Sequence, residues 1–162
     1  MKNVVILGAS GFVGYELYNM CKAHPNINLS ALSANKSAGE LVDVKELGQS
    51  LRYQTIESID FENVDFIFNC LPNMQMHKLI HNLNKNLRII DLSIDFRLDE
   101  KEEYKNWYNF DHESFEFNEN FQFGLTEFNR ESIKKSKHVA NPGCYATSVL
   151  VPLIELVSKD AI

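Results

Sequence analysis

The stretch that most limits what this chain can fold into is "VVILGASGFVGYEL", residues 4–17. Val4–Leu7 is a short β-branched and aliphatic run, which reads as a strand buried on both faces. Gly8, Gly11 and Gly14 follow at G-x-x-G-x-x-G spacing, and a helical run from Gly11 to His24 is closed by Pro25. A strand turning tightly into a helix presents free amides and the positive end of the helix dipole, which suits a pyrophosphate. The motif is not a P-loop, because Tyr15-Glu16 stands where Lys-Ser/Thr is needed. A strand-to-helix turn without a ligand would use the same glycines, so spacing alone leaves both readings open.

The alternation continues down the chain. Asn28–Ser33, Val64–Cys70, Leu87–Leu92 and His138–Ala140 read as strands. Asn73–Asn84, Asn129–Lys135 and a run beginning near Cys144 read as helices. This order predicts an α/β fold of Rossmann type, doubly wound on a mostly parallel sheet. Two stretches break the pattern. Residues 34–60 carry weak signals and are expected to form a loop with one short strand. Residues 94–128 place eight aromatics between Tyr104 and Phe123, which either anchor an excursion on the core or meet a partner. The last run, "CYATSVLVPLIELV", is apolar almost all round, which suits burial on several sides, and Pro152 is expected to kink it.

A chain of 162 residues suffices for one domain with a real core. Its net charge of −6 and the mainly acidic run Asp99–Glu103 argue against nucleic acid or an anionic membrane as partner. No apolar run approaches the ~18 residues that span a bilayer. The start is not read as a signal peptide, because the continuous apolar core stops at Leu7 and no cleavage pattern follows. Cys21, Cys70 and Cys144 form neither a disulfide framework nor a zinc pattern, so no metal is expected, and they fit a reducing cytoplasm.

An NAD site usually has an acid at the end of the second strand. Here that region reads "LSALSANKSAG", and no acid occurs before Glu40. Ser33 and Lys36 offer a hydroxyl and a cation instead, which favours NADP, although Lys36 also fits a plain solvated lysine. Leu71-Pro72 ends another strand and is expected to wall the adenosine or nicotinamide side. A formal Tyr-x-x-x-Lys match, Tyr18 to Lys22, lies beside the phosphate turn and cannot reach a nicotinamide ring, so it is read as chance.

Three further stretches narrow the field: "DLSIDFRL" (91–98), "FGLTEF" (123–128) and "VANPGCYATS" (139–148). With "GASGFVG", their order and spacing resemble the N-terminal half of the N-acetyl-gamma-glutamyl-phosphate reductase family, over essentially the whole chain. Reductases of aminoadipyl phosphates and, more distantly, aspartate-semialdehyde dehydrogenases are similar. The last usually carry Asn before the cysteine, where this chain has Gly143.

The resemblance implies a cysteine thiolate that attacks an acyl phosphate, and a thioester that then takes hydride from NADPH. It makes Cys144 the nucleophile, at a helix start whose amides favour a thiolate. Taken alone, the same cysteine would pass for a core residue. It further implies a dinucleotide loop of Ser10, Gly11, Phe12 and Val13, a turn shaped by Asn141, Pro142 and Gly143, and Asn141 at the substrate. Arg97 lies just past a strand end, where open α/β sheets place ligands. The arginine of a comparable motif binds substrate phosphate in related reductases, while pairing with an acid of the 99–103 run is the alternative.

Members of that family are considerably longer. Their second half supplies an α+β domain and a histidine acid-base partner, and none of the five histidines here matches that motif. Residues 1–162 are therefore expected to be an NADP-binding Rossmann domain ending in the cysteine helix, from a cytoplasmic, homo-oligomeric parent. The alternatives are an aminoadipyl-phosphate reductase of lysine biosynthesis and a truncated dinucleotide-binding module without catalysis.

Overall fold

The computed structural model describes residues 1–42 and 51–162. Seven strands form one sheet: β1 (Lys2–Leu7), β2 (Ile27–Ser33), β3 (Tyr53–Gln54), β4 (Phe66–Asn69), β5 (Arg88–Asp91), β6 (Phe121–Phe123) and β7 (His138–Ala140). Their order is β3-β2-β1-β4-β5-β7-β6, and every pairing among them is parallel. The helices are α1 (Phe12–Lys22), α2 (Met76–Leu79), α3 (Lys101–Tyr108), α4 (Thr126–Lys135) and α5 (Cys144–Ser158).

Alternation along β1 sorts the core into two layers. Val5 and Leu7 pack with Ile67, Met76 and Ile89 on one face. Ile6 packs with Tyr18 and Cys21 of α1 and with Leu32 on the other. Helical segments thus cover both faces, as in a doubly wound sheet. The strand order reverses between β1 and β4, and such folds open a ligand crevice beyond the strand ends at that point.

The aromatic excursion is mostly anchored. Tyr104 and Phe110 form a third cluster with Ile94, and Phe117 and Phe121 pack against the first layer. Trp107 and Tyr108 remain exposed. The excursion also holds α3 and the edge strand β6, which the sequence reading left out. The expected Asn73–Asn84 helix is only α2 followed by a 3₁₀ turn over Ile80–Asn82. Met74 in the left-handed region, at φ 64°, blocks an earlier start.

α5 is continuous and little buried. It runs as one helix through Pro152, so the proline removes one ladder bond without ending the helix. It also buries none of its residues, and Val149 and Val157 are 52% and 58% exposed. Among the described residues, no helix is long and apolar enough to cross a membrane.

Candidate active site

The glycine loop closes tightly on its neighbours. Gly8 adopts φ 72°, and a Cβ there would lie 2.5 Å from the carbonyl oxygen of Cys70, so only glycine fits between β1 and β4. The Gly8 amide donates to Ser33 Oγ at 3.0 Å, and the Ala9 amide donates to the Ser33 carbonyl at 2.8 Å. Ser33 is buried, so its hydroxyl ties the loop to β2 rather than facing a ligand as the sequence reading expected. Lys36 is exposed in the turn after β2.

Ser10, Gly11, Phe12 and Val13 are exposed at the start of α1, while Gly14 is buried beneath the loop. No side chain caps α1, and its first turn carries no acid. The first amides of a helix have no partner within it. An uncapped, acid-free start behind a glycine turn fits the pyrophosphate of a dinucleotide.

A polar network lies beneath the ends of β4 and β5. Asn69 Nδ2 donates to Asp91 Oδ1 at 2.6 Å, and Asn69 Oδ1 accepts the Leu71 amide. The Ser93 amide and hydroxyl both donate to Asp91, and Asp95 accepts the amides of Met74 and His77. These bonds fix the 69–77 loop against the 91–97 turn. Burial pushes the Asp91 carboxyl up to about 6, against the pull of its Asn69 and Ser93 donors. Burial, with the Asp91 charge nearby, pushes the Cys70 thiol up to about 12.

β7 delivers the last elements. The Asn141 amide donates to the Asp91 carbonyl at 2.8 Å, and its side chain donates to the Pro142 carbonyl. Gly143 then precedes Cys144, the first residue of α5, which is exposed. Gly143 has an ordinary φ of −67°, so the sharp turn expected there is not what requires glycine. A Cβ at Gly143 would lie 3.2 Å from Arg97 Nη1, so the glycine lets the guanidinium reach the start of α5.

Arg97 Nε donates to the Asn141 carbonyl at 2.8 Å, and Nη2 donates to the Leu92 carbonyl at 2.7 Å. Its partners are neutral carbonyls and not the acids of the 99–103 run. Two carbonyls hold the side chain, and among the described residues it forms no ion pair, a setting that favours an anion.

A cavity of about 830 Å³ brings Val13, Leu71, Arg97, Asn141 and Cys144 together. Pro72, expected beside Leu71 as a wall, is exposed and does not line it. The sequence reading missed Cys70, Leu92, Thr147 and Ser148, which also line it. Thr147 and Ser148 follow Cys144 by three and four positions, a helical spacing that signals a shared face. No histidine lines the cavity. His138 is buried on β7, where Nδ1 accepts the Ile89 amide, and burial pushes its imidazole down to about 4. Among the described residues, no cluster could hold a metal ion.

Comparisons with known proteins show the family to which the chain belongs. The family described as semialdehyde dehydrogenase, NAD binding domain, matches residues 3–136. The chain is 40% identical over 175 residues to N-acetyl-gamma-glutamyl-phosphate reductase of Rhodospirillum rubrum, covering 99% of this chain and 48% of that protein. It is 37% identical over 163 residues to a probable chloroplastic N-acetyl-gamma-glutamyl-phosphate reductase of Arabidopsis thaliana, covering 97% and 40%. The chain therefore spans less than half the length of these relatives. Among solved structures, aspartate semialdehyde dehydrogenase II of Vibrio cholerae shares the fold at a TM-score of 0.70 and 21% identity, over 94% of this chain and 41% of that one.

Proposed function

Because this chain belongs to the semialdehyde dehydrogenase NAD-binding domain family, we propose that it is the NADP-binding, thiol-bearing part of an N-acetyl-gamma-glutamyl-phosphate reductase. Its likeness to proteins of that name over nearly its whole length supports the substrate. The observation that carries the chemistry is the exposed Cys144, which shares one cavity with Arg97 and the glycine-loop residue Val13.

In this reading Cys144 Sγ attacks the acyl carbon. The carbon–oxygen bond to phosphate breaks, phosphate leaves with its electron pair, and a thioester remains. Arg97, braced by two carbonyls, holds the phosphate through its remaining N–H groups. A nicotinamide cofactor held beside the glycine loop would supply the hydride that this thioester needs for its reduction. The carbon–sulfur bond then breaks, and Cys144 leaves as thiolate while the aldehyde departs. The pyrophosphate of a cofactor would sit at the free amides at the start of α1, with the Gly8–Gly11 turn leaving room for its approach, and Leu71 would wall the nicotinamide side.

NADP is preferred over NAD because Lys36 is exposed just past β2, with no acid before Glu40. Lys36→Glu is expected to reverse the preference by about 1–3 kcal/mol, measured by titrating both cofactors. Equal affinity of the unmutated chain for the two would overturn it.

Incubating this chain with the acyl phosphate tests the thiol step. The expected result is at most one phosphate released per chain, with an acyl mass on Cys144, and neither in Cys144→Ser. Phosphate release by Cys144→Ser at the parent rate would sink the assignment. A second reading, a dinucleotide-binding module without turnover, draws on the absence of a histidine from the cavity lining. It predicts cofactor binding with no acylation.

A further inference from the structure

Arg97 owes its place to a short turn, and that turn is held by residues that never reach the cavity. The Arg97 amide donates to the Ile94 carbonyl at 3.3 Å, which closes the turn. Between them, Phe96 is buried and stacks on Phe121 of β6, with ring centroids 4.0 Å apart. Asp95 is fully buried. From Ile94 to Arg97, only the arginine lines the cavity that holds Cys144.

Asp95 joins three stretches that are distant in sequence. Its Oδ1 accepts the Met74 amide at 2.7 Å, and its Oδ2 accepts the His77 amide at 3.0 Å. His112 of the aromatic excursion donates from Nε2 to the Asp95 carbonyl, since its Nδ1 accepts the Ser114 amide and carries no proton. The Asp95 amide donates to Ser93 Oγ, which donates in turn to Asp91. Asn73 adds a parallel brace, its Oδ1 accepting the Ile94 amide at 3.2 Å. The loop gripped in this way is strained. Met74 holds φ 64°, a left-handed conformation that persists in such a side chain only where its surroundings impose it. Two amides from different residues need two acceptor oxygens. A carboxylate offers both, whereas asparagine would turn an N–H against one of these donors.

We propose that Asp95 is a positioning residue for the anion site of Arg97: by clamping the 74–77 loop and the excursion to one turn, it fixes where the guanidinium stands beside Cys144. The inference rests on the reading of Arg97 as the group that binds phosphate. On a loosened turn the guanidinium keeps its charge but no longer keeps its place, so anion affinity falls while the thiol is untouched.

Inorganic phosphate and iodoacetamide test it on this chain. Phosphate held at Arg97 shares the cavity with Cys144 and should slow its alkylation, so the midpoint of protection reads anion affinity. Asp95→Asn should raise that midpoint roughly tenfold, as misplacing a binding group does, and leave the phosphate-free rate near the parent's. Asn73→Ala, at an exposed position, removes only the parallel brace and should raise the midpoint severalfold. Ile80→Val thins the same core layer without touching the turn, so it should lower the urea midpoint and leave phosphate protection alone. A folded Asp95→Asn with the parent's phosphate midpoint, or an equal rise in Ile80→Val, would overturn the positioning role and leave Arg97 in place. Where Asp95→Asn does not fold, an unchanged midpoint in Asn73→Ala would overturn it instead. Phosphate that gives the parent no protection, or protects Arg97→Met equally, would remove the anion reading of Arg97 and the inference with it.

Discussion

Three identical thiols sit in three settings, and their reactivities should separate accordingly. Cys144 is exposed, Cys21 is buried, and Cys70 is partly buried with its thiol held near 12. At pH 8, iodoacetamide should label Cys144 first, with Cys70 on the order of a thousandfold slower because so little of it is thiolate. Peptide mapping checks this, and fast labelling of Cys21 or Cys70 would contradict it. Two buried groups set opposed pH effects. Asp91, raised to about 6, favours the fold when protonated, so its contribution is present below 3.8 and lost as pH rises through 6. His138, lowered to about 4, favours the fold when neutral, so its contribution is present above 6.5 and lost as pH falls through 4. Between these limits the two slopes oppose each other. Asp91→Asn keeps an oxygen for Asn69 and the Ser93 amide, so it should fold and expose the His138 slope alone. Urea midpoints should then fall more steeply in Asp91→Asn than in the parent as pH drops from 6.5 to 4, by about 1.4 kcal/mol per unit of uncompensated shift. Parallel profiles would refute the pairing.

Elements with strong local patterns were legible before their neighbours were known. β1, α1 and β7 follow from apolar runs, glycines and Pro25, and the Cys144 helix from its context. β6 was not, because three residues, Phe121–Phe123, hold no periodicity, and its pairing with β7 is a tertiary fact. The Asn69–Asp91–Ser93 network was hidden for the same reason, since a polar residue at a strand end does not reveal which strand lies beside it. α4 was placed three residues late. Its real start at Thr126 precedes a break at Asn129, whose side chain donates to the Phe123 carbonyl. α5 is the element whose packing departs furthest from its composition. Backbone amides in β1, β4 and β5 should exchange slowest, and those of α5 should exchange much faster despite its fifteen residues. Pro152→Ala restores one ladder bond and should slow α5 exchange by up to about 3 kcal/mol in opening free energy, leaving the sheet unchanged. An α5 as protected as β1 in a monomer would contradict this reading.

Across the whole molecule, the working surface joins the two ends of the chain. Val13 from the first helix and Cys144 from the last line one cavity, so a ligand seated in it should shield both. Saturating NADP(H) should slow alkylation of Cys144 severalfold and lower exchange at the start of α1, without touching the Trp107 region. Unchanged alkylation at saturation would place the cofactor elsewhere. The strand order adds a consequence for biosynthesis. Among the described strands β6 pairs with β7 alone, and β7 slots between β5 and β6, both made before it. A chain emerging from the ribosome can assemble β1 to β5, but it cannot complete that edge until β7 is out. The next turn made is the one carrying the exposed thiol. Unfinished chains can thus hold a formed crevice at the ends of β1 and β4 while still lacking the Cys144 thiol, which emerges only once its surroundings exist.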